Sequence, residues 1–311
     1  MVTKTRQSAL TAQIWGSDAE PKGRTFWGDA WAEFKRNKLA VFGLIAMLLL
    51  ILAVAFGPYL YTTDPQYIDM AEASLSPRPD HWFGTDDLGR DGLARILYGG
   101  RITVAVGITS MVITIIVGTI IGLLSGFFPK LDNPLMRFTD LMLALPQLPL
   151  LLLIIMLFRE VLRSIFGPGI GMFVLIVSVI GFFRWMSTAR ILRGAVLSVK
   201  EKEFITAAYC IGTKPTSIIF CHILPNVLSS VIVSSSLTVA QAILDESTLS
   251  FLGLGFPSDV PTWGRLIFDG VDYMTYTPWV VIFPGLFISI TLLSINFIGE
   301  GLNDALDPRL H

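Results

Sequence analysis

The stretch Ser198–Asn226, SVKEKEFITAAYCIGTKPTSIIFCHILPN, interrupts a chain that is otherwise apolar enough to sit in lipid. Ser198 and Glu201 stand at the spacing where each side chain can satisfy the other's orphan backbone donor at a helix start. Gly212, with Pro215 shortly after it, reads as the matching stop. Between them Phe204, Ala207, Ala208 and Ile211 fall at i, i+3, i+4 and i+7, which makes one apolar stripe, with Lys200, Lys202 and Thr206 opposite. A helix of about three turns with such a stripe, held between two membrane spans, must bury the stripe against its own bundle, the lipid surface or a separate protein.

Working outward, the 311 residues are 53% hydrophobic and 15% charged, with mean hydropathy +0.65. A soluble domain averages about 25% charged residues, so the composition is that of a membrane protein. A net charge of −1 and the lack of a basic tract with interleaved aromatics point away from nucleic acid. The two cysteines, Cys210 and Cys221, lie in or beside the loop just quoted and are expected to be reduced, buried and unreactive. Residues 1–38 are polar, without the apolar core of a signal peptide. Within them Phe26, Trp27, Trp31 and Phe34 alternate with Asp29, Glu33, Lys35 and Arg36, the pattern of an interfacial amphipathic helix.

Six apolar runs follow, each long enough for a hydrocarbon core of about 30 Å. They are 39–57 (ended by Pro58), 102–128, 141–158 (with Pro146 and Pro149), about 170–189 (with Arg184), about 218–244 (with Pro225) and about 276–299 (with Pro284). The expected fold is therefore an all-α membrane protein of six transmembrane helices. An N-terminal tail (1–38), a first span (39–60), an outer segment (61–101) and a five-helix core (102–310) divide the chain. An even span count puts both termini on one side, and 16 of the 23 Lys and Arg residues, including every lysine, collect there. The positive-inside rule makes that side, with the 198–217 loop, cytoplasmic. Localisation in a cell membrane, crossed several times, follows.

Gly118, Gly122 and Gly126 make two small-xxx-small steps on the second span, with Gly107 three turns earlier on the same face. They suit either a contact with a partner or gate, or packing inside the bundle. The prolines of spans three, five and six each remove a backbone hydrogen bond and can kink their helix.

The outer segment between spans one and two holds HWFGTDDLGRD (81–91). Asp86, Asp87 and Asp91 lack the alternation of a calcium loop, so no metal site is expected and Asp91 reads instead as a helix cap, with Leu93, Ile96 and Leu97 on the helix's apolar side. A second outer segment, 247–277, has glycine-spaced apolar residues 251–256, the composition of an interfacial or re-entrant turn. Asp245 and Glu246 at the end of span five should face a cavity or cap that turn. Arg184 lines a pathway or, as the preferred reading, snorkels to the surface.

The quoted loop resembles the EAA loop of ABC-importer permeases, with Ala207, Ala208, Gly212, Ile223 and Pro225 in matching places and Thr206 where that family usually has Glu. The 81–91 stretch is similar to the His-Pro-Leu-Gly-Thr-Asp-x-Leu-Gly-Arg-Asp signature of C-type permeases of dipeptide, oligopeptide and nickel importers, with Trp82 replacing the proline. Arg137, Asp140, the 242–255 stretch, Thr262-Trp-Gly264 and 301–309 continue the likeness, which covers about 39–310. The resemblance implies a type I importer transmembrane architecture and a translocation pathway shared with a second, B-type permease. It also implies two ATPase subunits carrying ATP and Mg, and an extracytoplasmic binding protein that supplies most of the selectivity. It assigns ATPase coupling to Glu203, Phe204, Thr206, Ala207, Ala208, Ile211, Gly212 and Pro225. Arg184, Asp245 and Glu246 are candidates for the pathway or gate.

The chain lacks a Walker-A sequence, HExxH, GxSxG and paired-cysteine metal motifs, so no catalytic residue, metal or cofactor is expected on it. Gly167, Pro168, Gly169 and Gly171 read as a turn between spans. An ion-coupled carrier would need acidic groups at mid-membrane. An intramembrane enzyme would need its histidines together, whereas His81, His222 and His311 are scattered. Peptide, nickel, glutathione and oligosaccharide cargoes all fit the family pattern.

Overall fold

In the computed structural model, which describes residues 26–306, the chain enters through helix α1 (Phe26–Arg36). Its Phe34 is buried, not spread on lipid, and the ring sits where a side chain on Gly301 would be. Trp31 stays half exposed under the Lys35 ammonium, 5.0 Å from the ring centre. The side chains of Phe26, Trp27 and Asp29 lie outside the described residues.

Helix α2 (Lys38–Leu60) is capped by Asn37, whose side chain accepts from the backbone of Leu39 and Ala40 at 3.1 Å each. It passes through Pro58 instead of ending at Gly57. A proline cannot donate to the carbonyl four residues back, here that of Val54. Arg101 takes it over, its Nε donating to Val54 O at 3.0 Å and its Nη2 to Ala55 O at 2.6 Å.

Helix α3 (Gly92–Phe127) is about 54 Å long at 1.5 Å per residue. Its glycine stripe lies on helix α6 (Pro168–Lys200): a Cβ on Gly118, Gly122 or Gly126 would sit 2.7–2.8 Å from Thr188, Leu192 or Val196. The stripe therefore serves packing within this chain. Gly107 faces a different neighbour, Ile243 and Val239, on helix α8 (Leu224–Phe251). The pairs 118/188, 122/192 and 126/196 advance together, so α3 and α6 run in the same direction.

The chain must return between them, and it does so through a bent pair: α4 (Pro129–Ala144) and α5 (Gln147–Phe166), set at 84°. The expected third span, 141–158, thus straddles the break, and its proline kink is a sharp bend between two helices. Leu145, preceding Pro146, is driven to extended backbone (φ −73°, ψ 140°), which stops α4. Gly167, at φ +83°, makes the expected turn into α6.

The expected cap of Ser198 and Glu201 does not form. Leu192, Val196 and Val199 continue the buried face, so α6 runs through Ser198 to Lys200. Helix α7 begins at Glu203 and ends at Cys210. A turn at Pro215–Ser217 and a π-helical turn at Ile218–Ile223 lead into α8, where Pro225 again removes a donor. The 247–277 segment alternates helix and turn: α8 extends to Phe251, Gly253 (φ +78°) turns the chain, and α9 (Trp263–Val271) follows. Helix α10 (Trp279–Leu306) runs unbroken through Pro284.

By length and composition five helices can each cross a membrane, and six crossings result if the bent pair counts as one. The most apolar window of α6 is 61% buried, against 22% for α2 and α10, which makes α6 the central helix. Asn37 Nδ2 donates to Asp304 at 3.4 Å, so both ends of the helical body lie together. Lys200 Nζ donates to Phe127 O at 2.8 Å. Tyr61 joins Asp91 at the opposite end, at 2.8 Å. One end of the bundle therefore carries Lys38, Lys130, Lys200, Lys202 and Lys214, and is called the lysine-rich end below.

Candidate coupling surface and pathway

Helix α7 is seated by Ile205 and Ala208, both buried in a cluster with Leu123, Phe127, Val196, Ile218 and Ile223. Tyr209 stacks on Phe127, with ring centres 6.4 Å apart, and burial pushes its phenol pKa upward. The end of α7 closes as the sequence suggests: Gly212 has φ +78°, and Thr213 N reaches back to Ala208 O at 3.1 Å.

The single apolar stripe is corrected to two. Ala208 belongs to the inward face, whereas Phe204, Ala207 and Ile211 point outward, Ile211 with 82% of its surface exposed. The eight-residue helix is shorter than the expected three turns, and Ile205 wins the buried position. Glu203 and Thr206 are exposed beside the outer apolar face. Cys210 and Cys221 are also exposed, contrary to the expectation of burial, and unpaired.

Arg184 does not snorkel. Its Nε and Nη2 bind Asp245 at 2.6 and 2.5 Å, a bidentate pair joining α6 to α8. A guanidinium at that depth is stabilised by the planar match with a carboxylate. Glu246, one residue on, faces the other way. It is fully buried and accepts from Ser250 Oγ at 2.7 Å, so it anchors the α8 end and does not join the pair. Beside the pair runs a groove of about 180 Å³ between α6 and α8, lined by Arg184, Ser187, Thr188, Ser234, Thr238 and Gln241 together with the apolar Ile191 and Leu237. A second hollow of about 260 Å³, sharing Ile191, Ser234 and Leu237, continues to Asn303 and Leu306 at the lysine-rich end. The polar part of this track is Ser230, Ser234, Thr238 and Gln241, a helical spacing that the sequence itself carries.

At the other end the GTDDLGRD stretch forms a buried charge lattice. Asp86 receives Arg90 Nε at 2.7 Å and also the guanidinium of Arg95, which is 2% exposed. Arg95 reaches Asp269 on α9 at 3.2 Å. Asp91 is the expected cap, accepting from Ala94 N at 2.7 Å. It also receives Tyr61, whose phenol burial and the adjacent Asp91 push up to about 12. Among the described residues no group of three or more His, Cys, Asp or Glu is placed to hold a metal.

Residues 99–311 match the family described as binding-protein-dependent transport system inner membrane component, and residues 25–77 match the N-terminal TM domain of oligopeptide transport permease C. The chain is 40% identical to the oligopeptide transport system permease protein OppC of Salmonella typhimurium over 98% of both chains. It is 39% identical to OppC of Bacillus subtilis, over 93% of this chain and 92% of that one. With the dipeptide transport system permease protein DppC of Bacillus subtilis it shares 39% identity, over 91% and 85%. Among solved structures, a chain of the inward-facing MetNI methionine ABC transporter has the same fold. It matches 67% of this chain and 94% of its own at a TM-score of 0.54 and 17% identity. The sequence motifs, the helical body with its five or six candidate crossings and these likenesses agree, and the chain belongs to the family of binding-protein-dependent transport system inner membrane components.

Proposed function

We propose that this chain is one permease subunit of an ATP-driven importer of di- or oligopeptides, working with a second permease, two ATPase subunits and a binding protein. The peptide cargo is the one carried in the names of the relatives that match almost the whole chain. The observation that carries the coupling role is the division of α7: Ile205 and Ala208 fasten it to the bundle, while Phe204, Ala207 and Ile211 remain as an outward apolar face. A helix so fixed transmits a push without being absorbed by the bundle. It stands between α6 and the π turn leading into α8, the two spans that hold the polar track. On this reading the lysine-rich end, with both termini, is cytoplasmic, and ATP and Mg belong to the partner ATPase.

The test is co-purification of the tagged chain with its ATPase. Phe204→Ser with Ile211→Asp should remove the ATPase while leaving the chain inserted. A complex that keeps its ATPase and its ATP-dependent peptide uptake would overturn the docking surface.

A further inference from the structure

The Arg184–Asp245 pair is placed where charge is least expected. Arg184 stands midway along α6, about 24 Å from each end, and Asp245 stands on the last two turns of α8, about 9 Å short of Phe251. Arginine and aspartate at such depth face an interior or a watery path, because lipid makes their exposure costly. The pair keeps 25% and 16% of its side-chain surface exposed, beside a groove whose wall mixes Ile191 and Leu237 with exposed Ser187 and Gln241 and buried Thr188, Ser234 and Thr238. Thr188 and Ser234 bond each other at 3.2 Å, and Thr238 donates to Ser234 O at 2.8 Å. The exposed Ser187 hydroxyl and Gln241 amide are therefore the groups left to match peptide N–H and C=O without reading any side chain. Within that wall Arg184 supplies the one fixed charge, held by Asp245.

We propose that this pair is the charge-reading element of the cargo path, and that it selects zwitterions. A cargo with one carboxylate and one ammonium can part the two residues and give each a new counter-ion, the carboxylate to Arg184 and the ammonium to Asp245. The number of ion pairs is then conserved or raised as the cargo passes. A cargo that parts the pair without supplying both charges leaves a guanidinium or a carboxylate unpaired inside the bundle, which is strongly unfavourable. The inference rests on the peptide-importer reading and adds a selection step on this chain.

The experiment is ATP-driven uptake by proteoliposomes holding the full complex with its binding protein. The probes are trialanine with free termini and trialanine acetylated and amidated at its ends, each presented at a concentration that saturates the binding protein in a separate titration. The unsubstituted complex is expected to favour free trialanine by about tenfold or more, since a buried charge left without its partner is disfavoured by at least that factor. Arg184→Gln with Asp245→Asn should bring the two rates to within about threefold while ATP hydrolysis stimulated by the loaded binding protein persists. The charge-exchanged variant, Arg184→Asp with Asp245→Arg, restores both counter-ions and should recover the preference. A preference unchanged in both variants, or rates for both probes that fall in parallel, would overturn the proposal by making the pair a structural clasp. Absence of ATP-dependent uptake of free trialanine by the unsubstituted complex would instead sink the peptide-importer reading.

Discussion

Arg193 grips Asp132 through both carboxylate oxygens, with Nε at 2.5 Å and Nη2 at 2.6 Å. This pair ties the last turns of α6 to the first turn of α4, across 61 residues of sequence. It holds the helix that leaves the bundle at 84° from its continuation. Asp140 and Arg190 repeat the link two turns away.

Asp132→Ala should therefore loosen α4 without unfolding the bundle. Because the pair is partly exposed, the loss is about 1 kcal/mol. Hydrogen exchange in the α4 backbone should quicken about fivefold, the equivalent factor, while α6 stays protected. Equal acceleration in both helices would show that the pair supports the whole fold.

The contact between α3 and α6 predicts a sharp contrast between two glycines. Leucine at Gly122 would place its Cβ 2.8 Å from Leu192 Cβ and 2.9 Å from Ala189 O, a backbone atom that cannot step aside. Overpacking of that kind costs about 1–3 kcal/mol. Gly194, on the exposed side of α6, has nothing within 4 Å, and leucine there should leave the thermal midpoint in detergent within a degree or two of the parent, as surface changes stay within about 0.5 kcal/mol.

Helix α7 should depend on Ile205 more than its small size suggests. Ile205 is fully buried, and truncation to alanine opens a cavity costing about 2–5 kcal/mol. With only eight residues and no side-chain cap, α7 cannot hold its helix without that anchor. Protease cleavage within 203–210 should become detectable in Ile205→Ala, and the ATPase should dissociate at lower salt. Resistance to cleavage would mean that Phe127 and Tyr209 suffice.

His81 predicts a pH window for the outer segment. Burial opposes its charging, but the hydrogen bonds to Asp91 (2.8 Å) and Glu72 (2.9 Å) outweigh burial and raise its pKa above the ordinary 6.5. Stability from a raised histidine is complete below 6.5 and is lost as pH rises through the folded value. Glu72 is lowered from 4.5, first by the hydrogen bond from His81, so its share is complete above 4.5 and is lost as pH falls through the folded value. The clasp should be strongest between about 4.5 and 6.5. Proteolysis of residues 61–90 followed across pH should show a minimum there, and His81→Gln should remove its alkaline limb.

Most spans and turns, and the Asp91 cap, were legible in the residues because they depend on neighbours in sequence, whereas the Ser198–Glu201 cap lost to the buried face of α6. Asp91 capping α3, the Gly212 turn and the apolar runs around Ile176 or Leu49 needed no tertiary partner to be recognised. The polar residues at the candidate site were legible only as isolated oddities. Arg184 and Asp245 could each be flagged as charges in lipid, yet a separation of 61 residues hid that they bind each other. A separation of 174 residues likewise hid that Arg95 meets Asp269, which happens only once α9 folds back.

What the amino-acid order determined on its own was the period and length of the apolar runs, and with them the helices that can cross a membrane, since backbone hydrogen bonds must be met locally in lipid. Only the tertiary structure decided which side of α7 is buried, because Ala207 and Ala208 are chemically identical and just the contact with Ile218 and Phe127 distinguishes outward from inward. It likewise decided that the glycines of α3 meet α6 and not a second chain. Helical spacing defines a face, but packing alone chooses what the face touches.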